Sequence, residues 1–224
     1  MIEIVSATKL PEEEFHKKSA LGLSLQRLSK DTRLVARVAF ENTRSLPDVY
    51  NAHILAQDHH EILVFVHDDV WIDDYFISDR VIDGLRTYDV IGVAGNRRRV
   101  ASQPGWAFID DKFTWDDQKN LSGCVAHGKY PFGGVAAFGP SPADCELLDG
   151  VFLAARKAAL VSNEVLFDPR FDFHLYDMDF CRSAREKGLR LGTWPICLTH
   201  QSGGGFRTPA WAEKYRLYLE KWGS

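Results

Sequence analysis

Four cysteines in 224 residues, Cys124, Cys145, Cys181 and Cys197, include no Cys-x-x-Cys pair, which removes a zinc knuckle and leaves no basis for a dense disulfide framework. Buried free thiols in a reducing compartment are the expectation. Long apolar runs are also missing: the longest are strand-sized, far short of the roughly 20 residues that a membrane-spanning helix needs. Met1 leads straight into strand-like residues without a secretory signal, so a soluble, cytoplasmic protein without a membrane span is expected. Basic excess is absent as well. With 27 Lys and Arg against 31 Asp and Glu the formal net charge is −4, so no global field draws the chain to nucleic acid or to anionic lipid. No repeat, low-complexity tract or break in composition marks a linker. The 224 residues therefore read as one domain, 1–224, long enough to bury a substantial core.

The most informative stretch that is present is EILVFVHDDVWI at 61–72, a continuous apolar run that ends on a histidine and two adjacent carboxylates. A run without polar alternation suits a strand covered on both faces. In open α/β sheets ligands collect at the carboxyl ends of the strands, which would put Asp68 and Asp69 at a binding crevice. Two carboxylates there call for a hard divalent cation such as Mg²⁺ or Mn²⁺. The competing reading is an acidic turn that caps a following helix, beside Asp73 and Asp74.

Around this stretch, strand-like and helix-like segments alternate. Ile2–Ala7 reads as extended, 12–28 as helical, Leu34–Phe40 as extended, Pro47–Gln57 as helical, 74–85 as helical and Tyr88–Ala94 as a buried strand. Such alternation implies βαβ units and a mostly parallel sheet. From Gly95 to about Asp144 the many glycines, prolines and aromatics predict loops and antiparallel strands. Regularity returns at Gly150–Lys157, in a helix over Tyr176–Lys187 closed by Gly188, in a strand over Arg190–Leu198, and in a last helix over Pro209–Lys221.

Four segments, VFVHDDVWI at 64–72, DGVFLAARK at 149–157, FDFHLYDMDFCRSAREKGLRLGTWPICLTH at 171–200 and SGGGF at 202–206, resemble in order and spacing the nucleotide-sugar-dependent glycosyltransferases of the GT-A type, in particular the inverting family 2-like group. The resemblance implies a single α/β domain with a mostly parallel central sheet flanked by helices, residues 1–100 forming a nucleotide-binding half and 101–224 an acceptor-binding half. It implies transfer of a sugar, with inversion, from a UDP-linked donor to a hydroxyl of a glycan or glycoconjugate.

On that resemblance Asp69 is expected to hold a Mn²⁺ or Mg²⁺ ion at the family's DXD position, with Asp68 touching the ribose or a metal-bound water. His67 departs from the pattern. His200 is expected as the remaining ligand, and its imidazole would tilt preference toward Mn²⁺. Asp177 resembles the family's catalytic base, which must lie within hydrogen-bond reach of the acceptor hydroxyl; it and Asp179 also sit where a helix begins and suit capping. Asp149 and Gly150 fall where donor sugar and acceptor are contacted, and the glycine-rich loop at 202–205 with Arg207 is placed to close over the diphosphate. The base-reading position is the weakest match: Glu41 and Asn42 stand after the second strand, and Ser6, Ala7 and Thr8 after the first are the other candidates for the nucleoside. Arg97, Arg98 and Arg99 read as a solvated basic loop, and Trp106 and Trp115 as core residues or sugar-stacking platforms.

Two rival readings compete with this one. His67-x-Asp69 with His200 and Arg207 mimics the ligand set of an iron-dependent oxygenase, although such enzymes are generally all-β barrels. A non-catalytic nucleotide-sugar or carbohydrate-binding domain would keep the fold without turnover.

Overall fold

The opening elements follow the alternation closely. They are β1 (Ile2–Ala7), α1 (Glu12–Lys18), α2 (Ala20–Arg27), β2 (Leu34–Ala39), α3 (Leu46–Ile54) and β3 (Ile62–Val66) in a computed structural model that describes every residue except 58, 59, 204 and 224. The segment expected as one helix over 12–28 is two. Ser19 is extended between them, and its hydroxyl accepts from the Gly22 N–H at 2.9 Å while donating to the Phe15 carbonyl at 2.8 Å. One side chain thus caps α2 and closes α1. Ser45 caps α3 by accepting from the Asp48 N–H at 3.1 Å, with Pro47 in the first turn.

After β3 come β4 (Val70–Ile72), α4 (Ile77–Thr87), β5 (Val90–Gly92) and β6 (Ala94–Asn96). Asp68 and Asp69 therefore precede a strand, and the helix-capping reading of the acidic turn is overturned. The helix starts only at Ile77, just beyond the point where Asp74 accepts from the Phe76 N–H at 2.9 Å. The remaining elements are β7 (Leu121–His127), β8 (Gly134–Gly139), β9 (Ala143–Asp144), β10 (Leu147–Leu148), β11 (Phe152–Arg156), α5 (Lys157–Ser162), α6 (Tyr176–Glu186), β12 (Leu191–Thr193), β13 (Leu198–His200) and α7 (Pro209–Trp222).

Seven strands form the main sheet in the order β2-β1-β3-β11-β5-β12-β9, and a second sheet runs β10-β6-β7-β13-β4 with β8 paired to β7. The main sheet is mixed, not mostly parallel in its pairing: β11 lies antiparallel between β3 and β5, and β9 antiparallel to β12. Apolar runs report burial on both faces and carry no signature of direction, so the antiparallel insertion of β11 was invisible in them. Two expected strands are each divided between the sheets. Between β12 and β13 lies Pro195, which has no N–H to give a ladder. Between β5 and β6 the chain crosses beside Gly123, at φ 92°, where a Cβ would lie 1.9 Å from the Val93 carbonyl oxygen.

The last helix is tied down by a buried charge. Asp179, on α6 and fully buried, accepts from the Lys221 ammonium and the Trp222 indole N–H, each at 2.7 Å. Asp179→Ala removes the buried acceptor of both bonds and leaves the ammonium only Asp168, at 2.9 Å, and is expected to cost about 2 kcal/mol of stability, read as a shift in the denaturant midpoint. A shift below about 0.5 kcal/mol would show that Asp179 does not hold α7. Among the described residues no helix is long and apolar enough to cross a membrane.

Candidate active site and metal centre

Strand pairing builds the centre. In the second sheet β4 lies antiparallel to β13 with Val70 opposite His200, so the residue before β4, Asp69, meets the residue at the end of β13. The Gln201 N–H donates to the Asp69 carbonyl at 3.1 Å, and Asp69 Oδ1 lies 3.3 Å from His200 Nε2. His67, at the end of β3, joins them: one ligand atom from each of His67, Asp69 and His200 lies within 4.8 Å of the other two. Burial pushes the Asp69 carboxyl up, but its bonds to His200 and Ser202 outweigh that and hold it down at about 2. Burial pushes His200 down, and Asp69 more than reverses it, so His200 is raised. Burial dominates at His67 and lowers it, which keeps its imidazole neutral.

Hydrogen-bond arithmetic then fixes the His67 tautomer. The Tyr176 hydroxyl has one proton, and it donates to the Gly150 carbonyl at 2.9 Å, an oxygen that can only accept. Its 2.8 Å contact to His67 Nε2 must therefore be a bond that the imidazole donates. In the neutral ring this leaves the lone pair on Nδ1. Two imidazoles and a carboxylate within reach of one another form a donor set that fits a divalent metal. Removing the tyrosine hydroxyl frees that tautomer. Tyr176→Phe is expected to weaken Mn²⁺ binding about 10–100-fold in a calorimetric titration; an unchanged affinity would show that the ring is oriented by packing alone.

Beside the trio, α6 presents its first turn. Leu175 at φ 62° sits in the left-handed region immediately before it, a conformation that costs an L residue about 1–2 kcal/mol. Asp177 Oδ2 accepts from the Gly150 N–H at 3.0 Å and Oδ1 from the Met178 N–H at 2.9 Å. Burial, aided by the charge of Asp149, pushes the Asp177 carboxyl up to about 7 against those two bonds. A Cβ on Gly150 would lie 2.5 Å from the Tyr176 hydroxyl and 2.9 Å from Asp177 Cβ, so glycine here permits the close approach of α6. Asp149 itself accepts from the Trp106 indole N–H at 2.9 Å and from the Val151 N–H at 2.9 Å.

These groups share a cavity of about 780 Å³, with His67, His200, Asp149, Gly150 and Asp177 in its wall. A smaller hollow of about 110 Å³ adjoins the trio and is lined by Ala7, Leu46, Tyr50, Asp68 and Asp69, with His67, Phe173 and Ser202 common to both. Of the residues singled out in the sequence, Asp149, Gly150, Asp177 and His200 line the large cavity and Ala7, Asp68 and Asp69 the smaller hollow beside it. Ser6 and Thr8 are buried, the latter accepting from the Leu10 N–H at 3.2 Å, and Glu41 is exposed at φ 46°; none of these three lines either space. Arg207 is turned away, donating to the Lys112 carbonyl at 2.9 Å with its guanidinium 4.6 Å from the Phe113 ring centroid. Gly204 of the glycine-rich loop lies outside the described residues, while Gly203 and Gly205 line the large cavity. Arg98 is paired with Asp116 at 2.5 Å, as a basic loop residue would be. Both Trp106 and Trp115 face the cavity.

Sequence reasoning did not place His67 beside Asp69 and His200 as a third candidate ligand, nor Tyr176 as its hydrogen-bond partner. The spacing of His67 and Asp69 was the available signal, and it counted only toward an oxygenase. No signal short of the fold links Tyr176, 109 positions away.

No protein-family model matches the chain, and no curated protein matches it in sequence. Solved structures do match in shape. The catalytic domain of Drosophila β1,4-galactosyltransferase 7, solved with xylobiose, superposes with a TM-score of 0.52 at 10% identity, covering 96% of this chain and 79% of that one. GalNAc-T7, solved with UDP, GalNAc and Mn²⁺, gives 0.54 at 10% identity over 99% of this chain, which spans 48% of it. A197 from STIV gives 0.50 at 9% identity over 92% of this chain and 97% of that one. The chain has the GT-A fold. In this GT-A fold the mixed sheet is flanked by helices, and the centre described above lies at the ends of β3, β4 and β13.

Proposed function

We propose that the protein is a metal-dependent glycosyltransferase that moves a sugar from a nucleoside-diphosphate donor, UDP-linked, to a hydroxyl of a glycan or glycoconjugate with inversion. One observation carries the reading: His67 and His200 of the trio line the same cavity as the Asp177 carboxylate, while Asp69, within ligand reach of both imidazoles, lines the hollow that adjoins it. Neighbours of the same fold solved with Mn²⁺ and a uridine nucleotide support the general chemistry.

Asp69, His67 and His200 would hold the cation, Mn²⁺ or Mg²⁺, and Asp68 faces the adjoining hollow where the nucleotide would lie. A bound divalent ion supplies positive charge beside the departing diphosphate. The chain does the rest. Asp177, held by the Gly150 and Met178 N–H groups, takes the proton of the acceptor hydroxyl. The acceptor oxygen forms its bond to the anomeric carbon as the bond from that carbon to the phosphate oxygen breaks, its electron pair leaving with the diphosphate. A single base acting in one displacement gives inversion.

Two imidazoles and one carboxylate also suit an iron-dependent oxygenase. That reading needs a cation for the cosubstrate carboxylate, and Arg207, its candidate, points elsewhere. A thermal-shift panel of UDP-, GDP- and dTDP-sugars with and without Mn²⁺ tests the proposal, because a ligand that binds only the native state raises the melting temperature. The UDP-sugars are expected to raise it only with Mn²⁺; no shift with any nucleotide sugar sinks the reading.

A further inference from the structure

The wall of the large cavity contains two carboxylates, Asp149 and Asp177, and among its described residues no lysine or arginine. The basic side chains that neighbouring segments bring near are engaged elsewhere: Lys214 pairs with Asp172 at 3.3 Å, and Arg207 lies over Phe113. An anionic acceptor would thus bring a third negative charge beside two others with no lysine or arginine to pair with it in a partly enclosed space, where charges are poorly screened. Positive charge at the His67, Asp69, His200 trio would already be matched by the diphosphate of the donor.

Much of the rest of the wall is aromatic, and its arrangement favours a flat-faced partner. Trp106, Phe138 and Trp115 pack together, Trp106 edge-on to Phe138 with ring centroids 5.0 Å apart and Trp115 parallel to it at 5.9 Å. Trp115 nevertheless remains 54% exposed, and Phe173, stacked on His67, is 53% exposed. Large aromatic rings left half in water at the wall of a cavity are unusual for packing alone and suit ligand contact. The negative face of an aromatic ring attracts groups with outward positive polarity, such as the axial C–H face of a pyranose.

The geometry points to an uncharged saccharide as the acceptor, its C–H face laid on Trp115 and its reacting hydroxyl at Asp177, with phosphate- or carboxylate-bearing acceptors excluded by Asp149 and Asp177. This inference rests on the transferase reading and narrows it to a substrate class.

Calorimetric titrations of the full chain with UDP and Mn²⁺ present test it, using cellobiose, lactose and chitobiose and their counterparts that carry a uronate or a 6-phosphate on the non-reducing sugar. At least one neutral disaccharide is expected to bind, with its acidic counterparts weaker by about tenfold or more. Trp115→Ala is expected to weaken the neutral sugar at least about fivefold, Trp115→Tyr to restore most of that loss, and neither to change UDP binding. Acidic counterparts that bind as tightly as the neutral sugar, a Trp115→Ala variant that binds it unchanged, or a panel in which no neutral sugar binds would each overturn the inference. The UDP titration separates the two levels: without Mn²⁺-dependent UDP binding the transferase reading itself fails, whereas with it only the acceptor class is refuted.

Discussion

Replacing Asp177 by Asn is expected to lower sugar transfer by about 10²–10⁴-fold while leaving Mn²⁺-dependent UDP binding within a factor of about three. The amide keeps the shape, and its one oxygen can still accept from the Gly150 N–H while the bond from the Met178 N–H is lost, so the contact between α6 and the residue before β11 is retained. What it loses is the ability to take a proton. Single-turnover transfer and a parallel UDP titration read the two quantities, and a variant that transfers at the parental rate would remove Asp177 from the chemistry.

The same carboxyl gives the prediction its pH dependence. Its value is pushed up to about 7 by burial and by Asp149, and the base works only when ionised, so transfer by the parent is expected to rise as pH passes through about 7. Stability runs the other way. Between the ordinary value of about 3.9 and about 7 the native state binds a proton that the unfolded state has released, so this group's contribution to stability is present below about 3.9 and is lost as pH rises through about 7. An uncharged amide escapes that penalty. Asp177→Asn should therefore be more stable than the parent at pH 8, by on the order of 2 kcal/mol, and no more stable at pH 4. Equal stabilities at pH 8 would show that Asp177 is already well solvated.

Asp69→Ala is expected to weaken Mn²⁺-dependent UDP binding by about 100-fold or more, since it removes the only carboxylate of the trio and leaves two imidazoles. Chelation of the metal should abolish the donor-induced rise in melting temperature of the parent and have no further effect on the variant. The variant itself should fold, because Asp69 is half-buried and its backbone carbonyl still accepts from Gln201. Retention of the parental UDP affinity in Asp69→Ala, with Mn²⁺ present, would mean that the ion, if it binds, sits elsewhere.

Much of the first hundred residues could be read directly. The buried run Ile62–Val66, Pro47 and Pro209 at the starts of helices and Gly188 after α6 are local signals, set by backbone and side-chain chemistry within a few residues, and they bound elements close to where expected. The region around Gly95–Asp144 read as loops and antiparallel strands because glycine and proline mark breaks, yet nothing in it announced that Trp106 would bond Asp149 and face the same cavity as Asp177.

Composition and order thus determined an α/β chain without membrane-length helices, placed acids at the end of a buried strand, and supplied a carboxylate and a histidine downstream. The tertiary structure alone decided which of these meet. Antiparallel pairing of Val70 with His200 joins positions far apart in sequence, the antiparallel insertion of β11 sets Gly150 against α6, and the proton balance of Tyr176 picks the free nitrogen of His67. Periodicity encodes which faces are buried, a property of each segment by itself. Strand direction, sheet membership and contacts across 100 residues are properties of pairs of segments, and no single segment records them.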